Sequence, residues 1–256
     1  MFNGKKKALT FSYDDGVTQD NRLIEMFNKY NLKATFNLNS ELLGRDGMLV
    51  CDGGVQISHK KNRPEDVKYI YEGHEVAVHT LTHPNLTEIA DDSEVLRQVE
   101  QDRINLSELV GYEVEGMAYP CGGVNCNARV AEIIKNNTCI KYARTIGVTK
   151  SFEPYNDLYQ YKGTLYHHGD WDSLFDMGQR FLELQTDTPK VFYIWGHAYE
   201  FDIYPERWKQ FDEFCRMMSN NEDIFYGTNK EVLIVTATVK KYNVKIENGN
   251  GTITEL

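Results

Sequence analysis

Segments with the two-residue period of a β-strand alternate with segments of helical period along most of the 256 residues. The stretch KALTFSY (7–13) is typical of a strand, and DNRLIEMFNKYN (20–31) places apolar residues on one helical face. The stretch KATFNLN (33–39) then predicts a second strand. About seven or eight strand–helix units follow one another without a linker rich in Pro, Gly or Ser. This alternation requires parallel strands joined by crossover helices, so the sequence predicts an α/β fold, a (β/α) barrel, with a doubly wound open sheet as the alternative.

We expect residues 1–256 to form a single domain, because no change in composition divides them. Residues 44–63 lack either period and are interpreted as an inserted loop. A short C-terminal extension covers about 242–256, where a small hairpin is predicted around Asn250 and Gly251.

Composition excludes several classes of partner. The net charge of −10 argues against a nucleic-acid partner, and no apolar run approaches the length that spans a membrane. The five scattered cysteines favour free thiols in a reducing compartment. Because the first residues also lack the apolar segment of a signal peptide, a cytoplasmic location is predicted. The oligomeric state is not indicated.

Polar side chains stand where the predicted strands end. In α/β barrels and open sheets, active sites lie at the carboxyl ends of the strands, so these residues are expected to share one face. Taken together they offer carboxylate, imidazole and guanidinium groups and an accessible backbone N–H; they are Asp14, Asp15, His79, His83, Cys121, Arg144, Asp170 and His197.

One carboxylate with two imidazoles, leaving further positions open, is a hydrolytic metal pattern. We therefore predict that Asp15, His79 and His83 bind a divalent metal. Zinc suits these ligands best, and cobalt, manganese, nickel or iron also fit. Asp14, beside this site, is predicted to be a general base, and His197, arriving from the far side of the barrel, a general acid.

The motifs TFSYDDG, HTLTH, AYPCG, GDWD and IWGH, in this order, resemble those of the polysaccharide deacetylase family (carbohydrate esterase family 4, the NodB homology domain). The resemblance covers roughly Lys6 to Asn229 and implies a distorted (β/α) barrel and a metal-dependent hydrolase that removes acetyl groups from N-acetylated sugars. It also implies that the N–H of Cys121 holds the oxyanion and that Asp170 orients His197.

One motif departs from the family's pattern. Family members carry an arginine just before the proline of the third motif, where it tethers the base. This chain has Met117, Ala118 and Tyr119 there. We predict that Arg144, at the end of the next strand, reaches Asp14 instead, because a guanidinium is suited to two-pronged binding of a carboxylate.

Aromatic side chains near the motifs are candidates for contact with a sugar ring. Tyr13, Trp171 and Tyr199 are predicted to bind the N-acetylated carbohydrate substrate.

Other functions remain open. A cysteine hydrolase would use Cys121, His197 and Asp170 as a triad, but it leaves His79 and His83 without a role. A hydrolase acting on another C–N bond, in a ureide or cyclic amide, would use the same scaffold. A non-catalytic domain that binds a metal or carbohydrate is a third alternative.

Overall fold

The structure is a computed structural model that describes residues 2–247 and 250–255, with side chains described for 2–51 and 53–236. Its strands are β1 (Lys7–Asp14), β2 (Ala34–Leu38), β3 (Met48–Val50), β4 (Gln56–Ser58), β5 (Glu75–Val78), β6 (Gly116–Ala118), β7 (Tyr142–Val148), β8 (Tyr161–Gly163), β9 (Leu165–Tyr166), β10 (Lys190–His197), β11 (Ile224–Tyr226), β12 (Tyr242–Glu247) and β13 (Asn250–Glu255). Its helices are α1 (Asp20–Lys29), α2 (Val67–Ile70), α3 (Asp92–Val110), α4 (Ala128–Asn137), α5 (Trp171–Glu183), α6 (Glu200–Ile203), α7 (Glu206–Met218) and α8 (Asn229–Lys241).

The main sheet has nine strands, and its pairs are parallel, as the alternating pattern predicts. Its order is β8-β7-β6-β5-β2-β1-β10-β9, with β11 also paired to β1. Every residue of β1 is buried. The strand is therefore covered on both faces, as is usual in parallel sheets, and its buried residues include the polar Thr10 and Ser12.

The sheet curls into a distorted barrel. In a flat sheet, four strand spacings would separate β7 from β1 by about 19 Å, beyond the reach of one side chain. Yet Arg144 on β7 hydrogen-bonds Asp14 on β1 at 2.6 Å. The end strands β8 and β9 are separated by the single residue Thr164, whose N–H donates to the carbonyl of Tyr193 on β10 at 2.8 Å. One short segment therefore joins the two ends of the sheet.

Helix ends follow local chemistry. The long helix α3 begins after Asp91, whose side chain accepts the N–H of Ser93, and it ends at Gly111, in the left-handed region with φ 79°. The helix fills the outer layer beside β5 and helps to fix the loop that follows this strand, since Gln98 accepts the N–H of Leu81 and that of Thr82.

Two segments differ from the sequence-based prediction. The segment 44–63, predicted to be an irregular loop, contains an antiparallel hairpin of β3 and β4. The predicted C-terminal hairpin is present as β12 and β13, but Asn250 and Gly251 lie within β13 and do not form the turn. Among the described residues, no helix combines the length and apolarity needed to cross a membrane.

Candidate active site

A cavity of about 410 Å³ opens at the carboxyl ends of the strands. Strand register brings three polar residues together here, because Asp14 at the end of β1 pairs with Asn37 of β2 on one side and with His197 of β10 on the other. His197 therefore comes from the strand next to Asp14, and its predicted approach from the far side of the barrel is wrong. The cavity is lined by Asp14, Asp15, His79, His83, Tyr119, Cys121, Gly122, Ile146, Tyr166, Trp195, His197 and Tyr199.

Asp15, His79 and His83 converge on one wall of this cavity. One potential ligand atom from each lies within 4.8 Å of the other two. Oδ1 of Asp15 is 3.9 Å from Nε2 of His79 and 3.6 Å from Nε2 of His83. The strands end in tight turns here, and Asp15 (φ 84°) and His83 (φ 64°) adopt the left-handed region, which costs a non-glycine residue about 1–3 kcal/mol. Such strain is typical of functional sites.

His79 is held in the form that a metal ligand requires. Its Nδ1 lies 2.8 Å from the carbonyl of Ala118, so Nδ1 carries the proton and Nε2 presents a lone pair to Asp15. Burial lowers the pKa of His79 to about 4, which keeps the imidazole neutral. Burial also lowers the pKa of His83. A carboxylate and two neutral imidazoles are a donor set that fits zinc and related divalent metals.

Asp14 is buried beside that set and lies close to three further polar side chains, those of Asn37, Arg144 and His197. Its Oδ1 accepts from Nδ2 of Asn37 at 2.8 Å, and its Oδ2 is 3.9 Å from Nε2 of His197. Burial opposes the charge, but the guanidinium of Arg144 and the neighbouring imidazoles hold the pKa of Asp14 below its usual range. The carboxylate is therefore ionised at neutral pH.

Arg144 makes the contact with Asp14 that the sequence predicts, but in a different geometry. A single nitrogen, Nη2, donates to both carboxylate oxygens, at 2.6 and 2.5 Å, whereas Nη1 donates to the carbonyl of Thr145. The two-pronged geometry expected from the sequence is therefore wrong. The guanidinium is fully buried and lies 4.5 Å from the ring centroid of Trp195.

His197 is paired with a residue that the sequence analysis missed. Oε1 of Glu200 is 3.0 Å from Nδ1 of His197, and Oε2 accepts the backbone N–H of the same histidine at 2.9 Å. Although burial disfavours the charged imidazole, Glu200 and the nearby aspartates raise the pKa of His197 to about 9. The spacing of three residues at a strand-to-helix turn is a signal that could have identified Glu200.

The predicted partnership of Asp170 with His197 is wrong. Oδ1 of Asp170 pairs with Nζ of Lys150 at 2.6 Å, and Oδ2 accepts the N–H of Tyr166. The strand β9 ends at Tyr166, so Asp170 comes one turn later, at the start of α5, and is directed elsewhere.

Glu200 is fixed by further contacts. The hydroxyl of Tyr166 donates to Oε1, and Nε2 of the buried His167 lies 2.8 Å from Oε2. Gly196 makes room for this imidazole, because a Cβ there would come within 1.7 Å of the His167 ring. These contacts restrain Glu200 in its position against His197.

Cys121 lines the cavity, but its thiol is not paired with His197. Its Sγ lies 3.5 Å from the carbonyl oxygen and 3.8 Å from Nδ1 of His83. Burial raises the pKa of this thiol, which disfavours the nucleophilic thiolate. The cysteine-hydrolase triad of Cys121, His197 and Asp170 is therefore contradicted by the contacts of all three residues.

Two of the three predicted sugar-binding aromatics face elsewhere. Tyr13 is fully buried among Phe27, Phe36 and Phe201, because it precedes Asp14 on β1 and alternation turns it to the opposite face. Trp171 begins α5 and stacks under Arg207, 4.6 Å from its guanidinium carbon. Tyr199 does line the cavity and stacks on His197, with ring centroids 4.9 Å apart.

Two further residues near the site come from the segment predicted to be a loop. Nε2 of His59 lies 3.1 Å from Oδ2 of Asp15, and Nζ of Lys61 lies 3.5 Å from Oδ1. Burial opposes the charge of Asp15, but His59 and Lys61 hold the pKa of its carboxyl well below the usual range. No periodic pattern marks either residue in the sequence.

Three solved structures illustrate the folds that are similar to that of this chain. The Xyl-CE4 domain of a multidomain xylanase from the hindgut metagenome of Trinervitermes trinervoides has a TM-score of 0.56 at 15% identity, covering 91% of this chain and 91% of that chain. Peptidoglycan deacetylase PdaC from Bacillus subtilis gives 0.53 at 18% identity, covering 93% and 94%. A family 4 carbohydrate esterase from Streptomyces lividans, in complex with acetate, gives 0.50 at 13% identity, covering 84% and 88%.

No curated protein sequence matches the chain. The sequence model of the polysaccharide deacetylase family, however, matches residues 2–139, which is more than half of the chain and includes Asp14, Asp15, His79 and His83. The three solved structures share the fold of this chain over most of their length. On the match to the sequence model, the chain belongs to the polysaccharide deacetylase family.

Proposed function

We propose that the protein is a metal-dependent hydrolase that removes acetyl groups from N-acetylated sugars or oligosaccharides. The observation that carries this proposal is the position of Asp14 and His197 in one cavity, 3.9 Å apart on neighbouring strands and beside the Asp15–His79–His83 cluster. At neutral pH Asp14 is ionised and can accept a proton, whereas His197 is protonated and can donate one. Amide hydrolysis needs such a pair.

The metal would be held by Asp15, His79 and His83, with zinc the best fit to this donor set. When bound there, a divalent cation supplies Lewis-acid chemistry, lowering the pKa of a water towards about 7 and polarising the acetyl carbonyl. The cavity beside the three side chains leaves room for water and substrate.

Asp14 would act as the general base. As a water attacks the acetyl carbon, the carboxylate takes its proton, and Arg144 and Asn37 keep the oxygens of Asp14 in one orientation. Because both contacts are made by buried donors, the carboxylate does not need to reorganise during the reaction.

His197 would act as the general acid. Its Nδ1 is engaged by Glu200, so the proton on Nε2 is available to the amide nitrogen as the C–N bond breaks, and acetate and a free amine leave. The backbone N–H of Cys121 is proposed to bind the oxyanion. Among the described residues it has no acceptor, and the positive φ of 69° at Cys121 shapes the loop that lines the cavity.

Tyr199 and Tyr166 would provide the apolar surface for a pyranose ring. Of the related structures, one is named as a peptidoglycan deacetylase and another as a domain of a xylanase, which supports a sugar substrate without identifying the sugar. Hydrolysis of a ureide or a cyclic amide would need the same base and acid, so both kinds of compound belong among the substrates tested.

The test is acetate release from a panel of N- and O-acetylated sugars. Ureide and cyclic amide compounds, which release no acetate, serve as comparison substrates, and their hydrolysis is followed by the amine or ammonia formed. We expect release from N-acetylated sugars to be abolished by a chelator and restored by Zn²⁺. His79→Ala and His83→Ala should retain little metal by elemental analysis. Hydrolysis that survives complete metal removal would contradict the proposal, since a thiol enzyme, but not a metal enzyme, persists under those conditions.

A separate prediction concerns the partner of His197. Replacing Glu200 with Gln removes a carboxylate that raises the pKa of His197, so this pKa should fall by about 1–3 units. The general acid must be protonated, and activity is lost as pH rises through its pKa. The alkaline limb of the kcat profile should therefore move to lower pH. Asp170→Asn is the matched control, since its partner is Lys150. An alkaline limb that moves in the control and not in Glu200→Gln would reverse the assignment.

A further inference from the structure

The hairpin of β3 and β4 leads directly into the active site. Its last strand ends at Ser58, and His59 then contacts Oδ2 of Asp15 at 3.1 Å. Asp15 therefore divides its two oxygens between two groups. Oδ1 faces the imidazoles of His79 and His83, whereas Oδ2 is occupied by His59.

The chain around His59 is clamped to the turn that carries Asp15. The N–H of Thr18 donates to the carbonyl of Lys60 at 2.8 Å, and the N–H of Asn62 donates to the carbonyl of Gly16 at 2.9 Å. A β-bridge between Val17 and Lys61 lies between these two bonds. These backbone contacts fix the position of His59 relative to Asp15.

The ring of His59 is itself held in place. It packs edge-on against Tyr199, with centroids 5.1 Å apart. The buried Lys61 lies 3.5 Å from Oδ1 of Asp15, where its charge helps to balance the carboxylate. A surface histidine without a role would not need this packing.

We infer that His59 is a positioning residue for the metal site: it binds Oδ2 of Asp15 and so directs Oδ1 towards the cation held with His79 and His83. The inference rests on the proposed function, because it requires that this cluster bind a divalent metal. Among the described residues, the group of donor atoms within 4.8 Å of one another comprises Asp15, His79 and His83 without His59, which places His59 outside the set of ligands. Partners that orient a ligand in this way typically contribute 10–100-fold to metal affinity.

The test measures the affinity for Zn²⁺ alone, by competition with a chromophoric chelator, in the full-length protein. We expect His59→Ala to raise the Kd by about 10–100-fold. His59→Gln should recover most of this loss, because glutamine keeps an N–H at a similar distance from the backbone. Lys60→Ala is the matched control, since its exposed side chain pairs with Asp46 and it should bind Zn²⁺ like the wild type.

The visible absorption of Co²⁺-loaded protein separates positioning from ligation. A positioning role predicts the same d–d bands in the wild type and in His59→Ala at saturating Co²⁺. A Kd unchanged in His59→Ala would overturn the inference, and so would altered bands together with no recovery in His59→Gln, which would make His59 a ligand. A wild-type protein that binds no Zn²⁺ would overturn the proposed function as well, so the two failures are distinguishable.

Discussion

Replacing Asp14 with Asn should lower kcat by about 10²–10⁴-fold, the contribution typical of a general base, while metal content stays unchanged. The reason is that an amide cannot take the proton of the attacking water, whereas the ligand atoms of Asp15, His79 and His83 lie outside this substitution. The amide oxygen still accepts from Arg144, although the buried guanidinium loses its counter-charge and the protein loses some stability with it. Acetate release under saturating substrate, with elemental analysis of the same sample, is the measurement.

Asp15→Asn is the matched control for Asp14→Asn, because the two aspartates are adjacent but have different partners. It should lose metal together with activity. Loss of metal in Asp14→Asn, with retention in Asp15→Asn, would exchange the two roles.

Replacing Arg144 with Met should reduce the free energy of unfolding by about 3–5 kcal/mol at neutral pH, as expected when one partner of a buried ion pair is removed. Asp14 is buried and would then be charged without its guanidinium partner. Turnover should also fall, since the base loses its orientation. Urea denaturation followed by circular dichroism measures the stability.

The effect of pH on this variant has a definite sign. In the wild type, burial alone would raise the pKa of Asp14. The charge of Arg144 and the nearby imidazoles outweighs this effect, so the pKa is lower in the folded state than usual. The stability that this pair contributes is therefore present at neutral pH and lost as pH falls through the folded-state pKa of Asp14. The difference between wild type and Arg144→Met should shrink in acid. A constant difference at all pH values would attribute the loss to the packing against Trp195.

Arg144→Lys is the control that keeps the charge. The ammonium ends one bond closer to the backbone than Nη2, so it should recover part of the stability but little of the turnover. Full activity in Arg144→Lys would show that another group orients Asp14.

The barrel was predictable because its signal is repeated many times. Each strand and helix has its own periodicity. Because active sites lie at the carboxyl ends of the strands, Asp14, Asp15, His79 and His197 could be assigned to one site before any contact was known. Arg144 was found by the same rule, although β7 continues for four residues beyond it, to Val148, so the predicted end of that strand was wrong.

What the sequence analysis missed depends on packing that has no period. Asp170 was chosen because it follows a predicted strand, but β9 has only two residues and the chain turns away before Asp170 is reached. Glu200 and His59 contact the site from segments with little regular structure. The position of His59 depends on backbone bonds between 16–18 and 60–62, and such pairing of irregular segments cannot be inferred from either segment alone.

The proposed acid and the proposed base are held by partners at very different separations along the sequence. His197 and Glu200 are three residues apart on one turn, so their contact is kept as long as that turn is intact. Asp14 and Arg144 are separated by 130 residues and meet only because the sheet is curled. Loosening of the barrel far from the cavity, by heating or by a poorly packed core substitution, would therefore release the base while the acid kept its partner. Thermal inactivation of this protein would begin as an orientation defect in one carboxylate, well before the strands separate.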